Sequence, residues 1–206
     1  MKRIAITGSS CSGLHKASEV CNMIDVPVFQ ADLALKFLLN WREDILRQVR
    51  VQFGSNVLVD GTADPKKFNT SEKFDRLLDI AEVDLLLMWE AFCKKHAGRE
   101  VVAYNSHIVF ERGLSERFDA VVNVYRPQRM RAHDLAKMRN VAFNQALVMT
   151  AQEMDEKEKT KRSDYVVHNY DNLSLLTQFE VVKSQIIKGL RPADWVKNPS
   201  SHSVAI

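Results

Sequence analysis

The spacing of its apolar runs constrains this chain more than any single residue does. Five short runs read as strands: Lys2–Thr7, Val26–Phe29, Glu100–Tyr104, Ala120–Tyr125 and Tyr165–His168. Longer stretches with helical spacing lie among them, and such alternation predicts an α/β fold with a mainly parallel five-stranded sheet. Asp32–Val51 carries Leu33, Phe37, Leu38, Trp41, Ile45, Leu46 and Val49 at helical intervals. Ser71–His96 does the same with Phe74, Leu77, Leu78, Ala81, Leu85, Met88, Trp89 and Phe92 facing inward, between a cap region at Thr70–Lys73 and a stop at Gly98. Asn172–Lys188 is a final amphipathic helix with Leu173, Leu176, Phe179, Val182, Ile186 and Ile187 on its apolar face. At 206 residues one sizeable core is expected, so residues 1–189 are read as a single domain and 190–206 as a tail.

Between the first strand and the helical stretch Gly13–Ile24 lies Gly8-Ser9-Ser10-Cys11-Ser12-Gly13-Leu14-His15. Two glycines five apart, after a strand and before a helix, are the setting of a phosphate-binding P-loop. The glycines let backbone N–H groups wrap the phosphates, and the helix N-terminus adds positive field. A working loop also needs a lysine after the second glycine and then a Ser/Thr hydroxyl for magnesium. Here those positions are Leu14 and His15. Lys16 sits about 200° further round the helix, facing away from the phosphates. An ordinary strand-to-helix turn would carry the same glycines.

Net charge is only +3, which gives no reason to expect nucleic acid as a partner. Cys11, Cys21 and Cys93 are odd in number and scattered, which suits reduced thiols in a cytoplasmic setting and argues against a zinc site. Cys11 lies near a helix N-terminus, where a thiol pKa is expected to fall. No apolar stretch is long enough to span a membrane. Residues 127–163 are rich in Arg, Lys, Glu, Gln and Met, and read as two or three short helices forming a charged, mobile lid. The basic residues Arg126, Arg129, Arg131, Lys137 and Arg139 form either a solvated face or a surface turned towards phosphates.

Three segments carry a family resemblance. Val109-Phe110-Glu111-Arg112-Gly113-Leu114 with Phe118–Tyr125 is similar to the pattern "LLFESGL…FD.VVVV" of dephospho-coenzyme A kinases. Gln152, Lys159 and Arg162–Asn169 resemble that family's "Q…K…ADxVIxN", and Val26–Ala34 resembles its "IPVIDADxIA". The resemblance covers roughly residues 1–189 and implies a three-layer P-loop kinase-like fold with helices on both faces of the sheet and a small helical lid. It also implies transfer of the ATP γ-phosphoryl group to the ribose 3′-hydroxyl of dephospho-coenzyme A. Asp32 then matches the acidic residue that orients or deprotonates the acceptor hydroxyl.

Other positions depart from the family. Asn105 stands for the aspartate of "DxPLLFE" and His107 for its proline; Pro65 falls near the substrate-binding arginine. Asp134 and Met138 occupy the lid's arginine positions, with Arg139 one step off register. Lys2, Arg131 and Arg139 are the candidate substitutes for the missing lysine, though nothing in the sequence requires any of them to swing in. The resemblance thus leaves two readings: a weakened or inactive relative kept for binding a nucleotide, a CoA-like molecule, a protein partner or its own copy, or an active kinase with a rearranged phosphate site. ATP and magnesium would be weakly held in the first. A third reading is an unrelated α/β binding protein.

Overall fold

The computed structural model describes residues 1–64, 67–68 and 71–190. Pro65, Thr70 and residues 191–206, on which three of the expectations above fall, lie outside the described residues. Contacts divide the chain into two compact units, one running from Met1 to Phe29 and resuming at His96, the other Gln30–Lys95.

The first unit is built on a five-stranded sheet. Its strands are β1 (Lys2–Thr7), β2 (Val28–Gln30), β5 (Val101–Asn105), β6 (Ala120–Tyr125) and β7 (Tyr165–His168), in the spatial order β2-β5-β1-β6-β7. β1 runs parallel to β5 and β6, and β6 parallel to β7. β1, β6 and β7 match the sequence expectation; β2 and β5 are each displaced towards their C-terminal ends. Pro27 lacks an N–H, and its carbonyl accepts the Ala103 N–H at 2.9 Å just before β2 begins.

Two-residue periodicity assigns the faces. Ile4 and Ile6 of β1, Val122 and Val124 of β6, and Tyr165 and Val167 of β7 share one core with Ala17 and Cys21 of α1 (Leu14–Met23). Phe179, Val182 and Ile186 of α8 (Leu175–Ile187) complete that layer. On the opposite face α7 (Glu156–Arg162) packs against β6. Residues 127–163 form three helices, α5 (Gln128–Arg139), α6 (Phe143–Ala151) and α7. α5 and α6 have a small core of their own, Ala132, Leu135 and Ala146, with Phe143, Leu147 and the loop residue Cys11 packed on it.

The second unit contains α2 (Ala31–Trp41), α3 (Glu43–Phe53), the hairpin β3–β4 (Leu58–Val59 and Thr62–Ala63) and α4 (Ser71–Lys95). The single helix expected over Asp32–Val51 is therefore two. Arg42 adopts an extended conformation between them, and its guanidinium bonds Asp44 through two nitrogens at 2.9 and 2.7 Å and reaches Asp84 at 3.1 Å. Nor do Leu33, Phe37 and Trp41 face inward: all three are exposed, while Ala34, Leu35, Leu38 and Leu39 are buried. α2 is apolar on two faces, so periodicity alone could not choose between them; of the residues it marked on this helix only Leu38 is buried. In α4, Leu77, Leu78, Ala81, Leu85 and Trp89 are buried as expected, and Cys93 joins them. Asp60 and Gly61, with φ of 48° and 80°, form the tip of the β3–β4 hairpin. An Asp-Gly pair is a strong hairpin signal that the sequence reading passed over.

Candidate functional site: a phosphate cradle without its lysine

Residues 8–13 leave the C-terminal end of β1 and enter α1 directly. Ser12 N–H donates to the Ser9 carbonyl at 3.0 Å, closing a turn, and Cys11 and Gly13 take positive φ of 60° and 102°. A Cβ on Gly8 would come within 2.8 Å of the Val124 carbonyl, and one on Gly13 would collide with the Asn169 amide. That amide donates to the Ser12 carbonyl at 2.7 Å, fastening the loop to the residue that follows β7. The first-turn N–H groups of α1 have no intrahelical acceptor, so they point out of the helix end as anion donors. The hydroxyls of Thr7, Ser9 and Ser12 are buried and have no hydrogen-bond partner. Orphaned hydroxyls beside unpaired N–H groups suit a phosphate group.

The two positions that should supply charge do not. Leu14 is half-buried and packs on the α1–sheet–α8 core. His15 turns to solvent, its Nε2 3.7 Å from Glu19. Asn105, at the end of β5, donates its amide to the Leu14 carbonyl at 3.0 Å and to the Ser18 hydroxyl, which itself donates to the Leu14 carbonyl at 3.1 Å. This side chain therefore braces the start of α1. Among the described residues there is no cluster of three His, Cys, Asp or Glu able to hold a metal ion.

The two candidate arginines separate cleanly. Arg131 is 2% exposed, and its Nη1 donates to the Ser10 carbonyl at 3.3 Å, so α5 does bring it to the loop. The same nitrogen binds Glu153 at 2.7 Å, Nη2 lies 3.6 Å from Glu156, and Nε donates to the Arg126 carbonyl at 3.2 Å. Its charge is thus answered within the lid. Arg139 is exposed at the far end of α5, about 12 Å along the axis from Arg131. Arg126, absent from the candidate set, bonds Asp134 at 2.8 Å and the Asn169 carbonyl at 2.9 Å. A second cation no periodicity could flag is Lys159, 1% exposed, which ties α7 to Glu111 at 2.8 Å and to the His107 carbonyl at 3.0 Å.

On the other side of Arg131 opens a cavity of about 640 Å³ whose walls include Tyr125, Thr150, Glu156, His168 and Tyr170. The rings of Tyr125, His168 and Tyr170 meet edge to face at 5.4–5.9 Å. Burial holds the His168 imidazole below its ordinary pKa, and its Nδ1 and both Glu156 carboxylate oxygens have no hydrogen-bond partner. The Cys11 expectation is reversed: burial raises its thiol pKa, and Asp134 and Glu153 add to that against Arg131 and Arg126.

A sequence model described as Dephospho-CoA kinase matches residues 2–174. The chain belongs to the dephospho-CoA kinase family. A Listeria innocua dephospho-CoA kinase is 27% identical over 180 residues, spanning 84% of this chain and 90% of that one. A solved Thermus thermophilus structure superposes with a TM-score of 0.73 at 22% identity, covering 90% and 97% of the two chains. The dephospho-CoA kinase of Campylobacter jejuni gives 0.63 at 18%, over 91% and 98%. These likenesses establish the P-loop kinase fold. Of the residues that the glycine spacing marked, Gly8, Ser9, Ser10, Cys11, Ser12 and Gly13 form one continuous loop, and Asp32, marked by the kinase resemblance, is exposed in the first turn of α2 in the second unit. No helix among the described residues is long and apolar enough to cross a membrane.

Proposed function

We propose that this member of the kinase family binds nucleotide phosphates on the backbone N–H groups of residues 9–14 and is weak or inactive in phosphoryl transfer from ATP to the ribose 3′-hydroxyl of dephospho-CoA. One observation carries this reading: Leu14 is built into the core and His15 faces solvent, so no cation stands over the cradle from α1. Losing one group aimed at developing charge typically costs about 3–4 kcal/mol of transition-state stabilisation. Magnesium fits poorly, because an exposed imidazole and the N–H side of an amide replace hard oxygen ligands; no step is assigned to it. Asp32 would orient or deprotonate the acceptor hydroxyl. The 640 Å³ cavity has the size and aromatic edges for the base, with Glu156 and His168 as acceptors for its amino group. Three free cysteines support a reducing, cytoplasmic setting.

A second reading is an active kinase whose phosphate charge is met by Arg131. The contact of its guanidinium with the Ser10 carbonyl favours it, since a bound phosphate could draw Arg131 from Glu153. Thermal shift with millimolar ATP, with and without magnesium, and a transfer assay on dephospho-CoA separate the two. A decayed site gives a small, magnesium-independent shift, and turnover well below about 1 s⁻¹, an ordinary kinase rate. Leu14→Lys with His15→Ser then restores ATP affinity, but transfer only in part, because Asn105 still faces α1. Wild-type turnover at or above that rate, abolished by Asp32→Asn, would replace the first reading with the second.

A further inference from the structure

We propose that the corner between α2 and α3 is a second ligand site, for a planar ring that carries a phosphoryl group. A cavity of about 520 Å³ opens there, lined by Asn40, Trp41, Glu43, Arg47, Arg50 and the hairpin glycine Gly61. That volume lies in the range of small-molecule sites. Trp41 is 73% exposed, an unusual placement for the largest apolar side chain. Arg47 and Arg50 stand three apart on α3 and project from one face of it. Both are exposed, and among the described residues neither guanidinium has a salt-bridge partner. Their neighbour Arg42, by contrast, is taken up by Asp44 and Asp84.

Two unengaged guanidiniums beside one cavity match the oxygens of a phosphoryl group, which accept paired N–H donors. The indole offers a face on which a base or other flat ring stacks. Asn40 can donate to or accept from the ring's edge. Glu43 is the discordant group: it sits four residues before Arg47, so it competes with the anion for that guanidinium. The site is at the opposite end of α2 from Asp32, nine residues or about 14 Å along the helix axis. It is therefore separate from the acceptor hydroxyl's expected position, and it does not depend on the state of the P-loop.

Phenylglyoxal labelling of arginines, mapped by mass spectrometry on the full chain, reads the site at its own residues. AMP should protect Arg47 and Arg50 together, inorganic phosphate should protect them at least about tenfold more weakly, and adenosine hardly at all. Trp41→Ala should bring AMP down to the level of phosphate. Arg50→Ala should weaken AMP protection of Arg47 about tenfold, the loss of one charge-assisted contact. Glu43→Gln should strengthen it. Equal labelling with and without millimolar AMP overturns the site. Equal protection by phosphate and AMP overturns the indole's role, and equal protection by adenosine overturns that of the arginines.

Discussion

Asn105→Asp puts back the carboxylate that the family pattern carries at this position, and it should harm the protein before it helps any reaction. Asn105 is 7% exposed, and its amide gives two hydrogen bonds, to the Leu14 carbonyl and the Ser18 hydroxyl. An ionised aspartate donates neither, and it sets a carboxylate oxygen against the Leu14 carbonyl. Ser18 can turn its hydroxyl towards the new carboxylate, but only by giving up its own bond to Leu14. Two neutral hydrogen bonds at about 1 kcal/mol each, plus the unmet acceptor, put the loss at about 2–3 kcal/mol. For a chain of this size that is about 5–10 °C in Tm.

The loss must also depend on pH. Once protonated, the introduced carboxyl can donate as the amide does, so folding raises its pKa above the unfolded value near ~3.9, by about two pH units if the whole loss is charge-linked. A raised pKa contributes stability below the unfolded value and loses it as pH rises through the folded one. Urea unfolding at pH 4, 5.5 and 7 should show the variant close to wild type at the lowest pH and furthest below it at the highest. Equal stability at pH 7 would refute the bracing role given to Asn105.

Arg131→Met leaves the partly buried Glu153 and Glu156 without their cation and should cost about 2–3 kcal/mol by urea unfolding; a loss under about 1 kcal/mol would mean that the network is not closed in solution. Converting both glutamates to Gln in the same chain should recover much of it. The Cys11 thiol, raised by burial, should react with iodoacetamide more slowly than a cysteine in a flexible peptide at pH 7.5, and its rate should keep rising at pH values where the peptide has levelled off. A rate above the peptide's would show that the helix end outweighs burial there.

Elements defined by local pattern were readable in the sequence, and those defined by distant partners were not. β1, β6 and β7 could be bounded from their apolar runs because most of their residues are buried on both faces, even in β7 at the sheet edge. The α2–α3 break carries no glycine or proline; it coincides with the bonds from Arg42 to Asp44 and to Asp84, forty-two positions away along the chain. In the site, the glycine spacing predicted the cradle. Nothing local distinguished Arg131 from Arg139, since the difference lies in Glu153, Glu156 and the Ser10 carbonyl. The same holds for Asn105, whose importance comes from facing α1 rather than from its own neighbours in the chain.

The bond from Asn169 to the Ser12 carbonyl spans 157 positions, and it bears on how the protein is made. The loop's glycines leave the ribosome long before the group that locks their turn, which comes after the last strand of the sheet. Loop closure over such a span is slow compared with forming α1 or the β3–β4 hairpin. The phosphate cradle is therefore expected to be finished after translation has passed the final strand. Chains stalled before residue 169 should leave Gly8–Gly13 open to protease, while longer ones protect it.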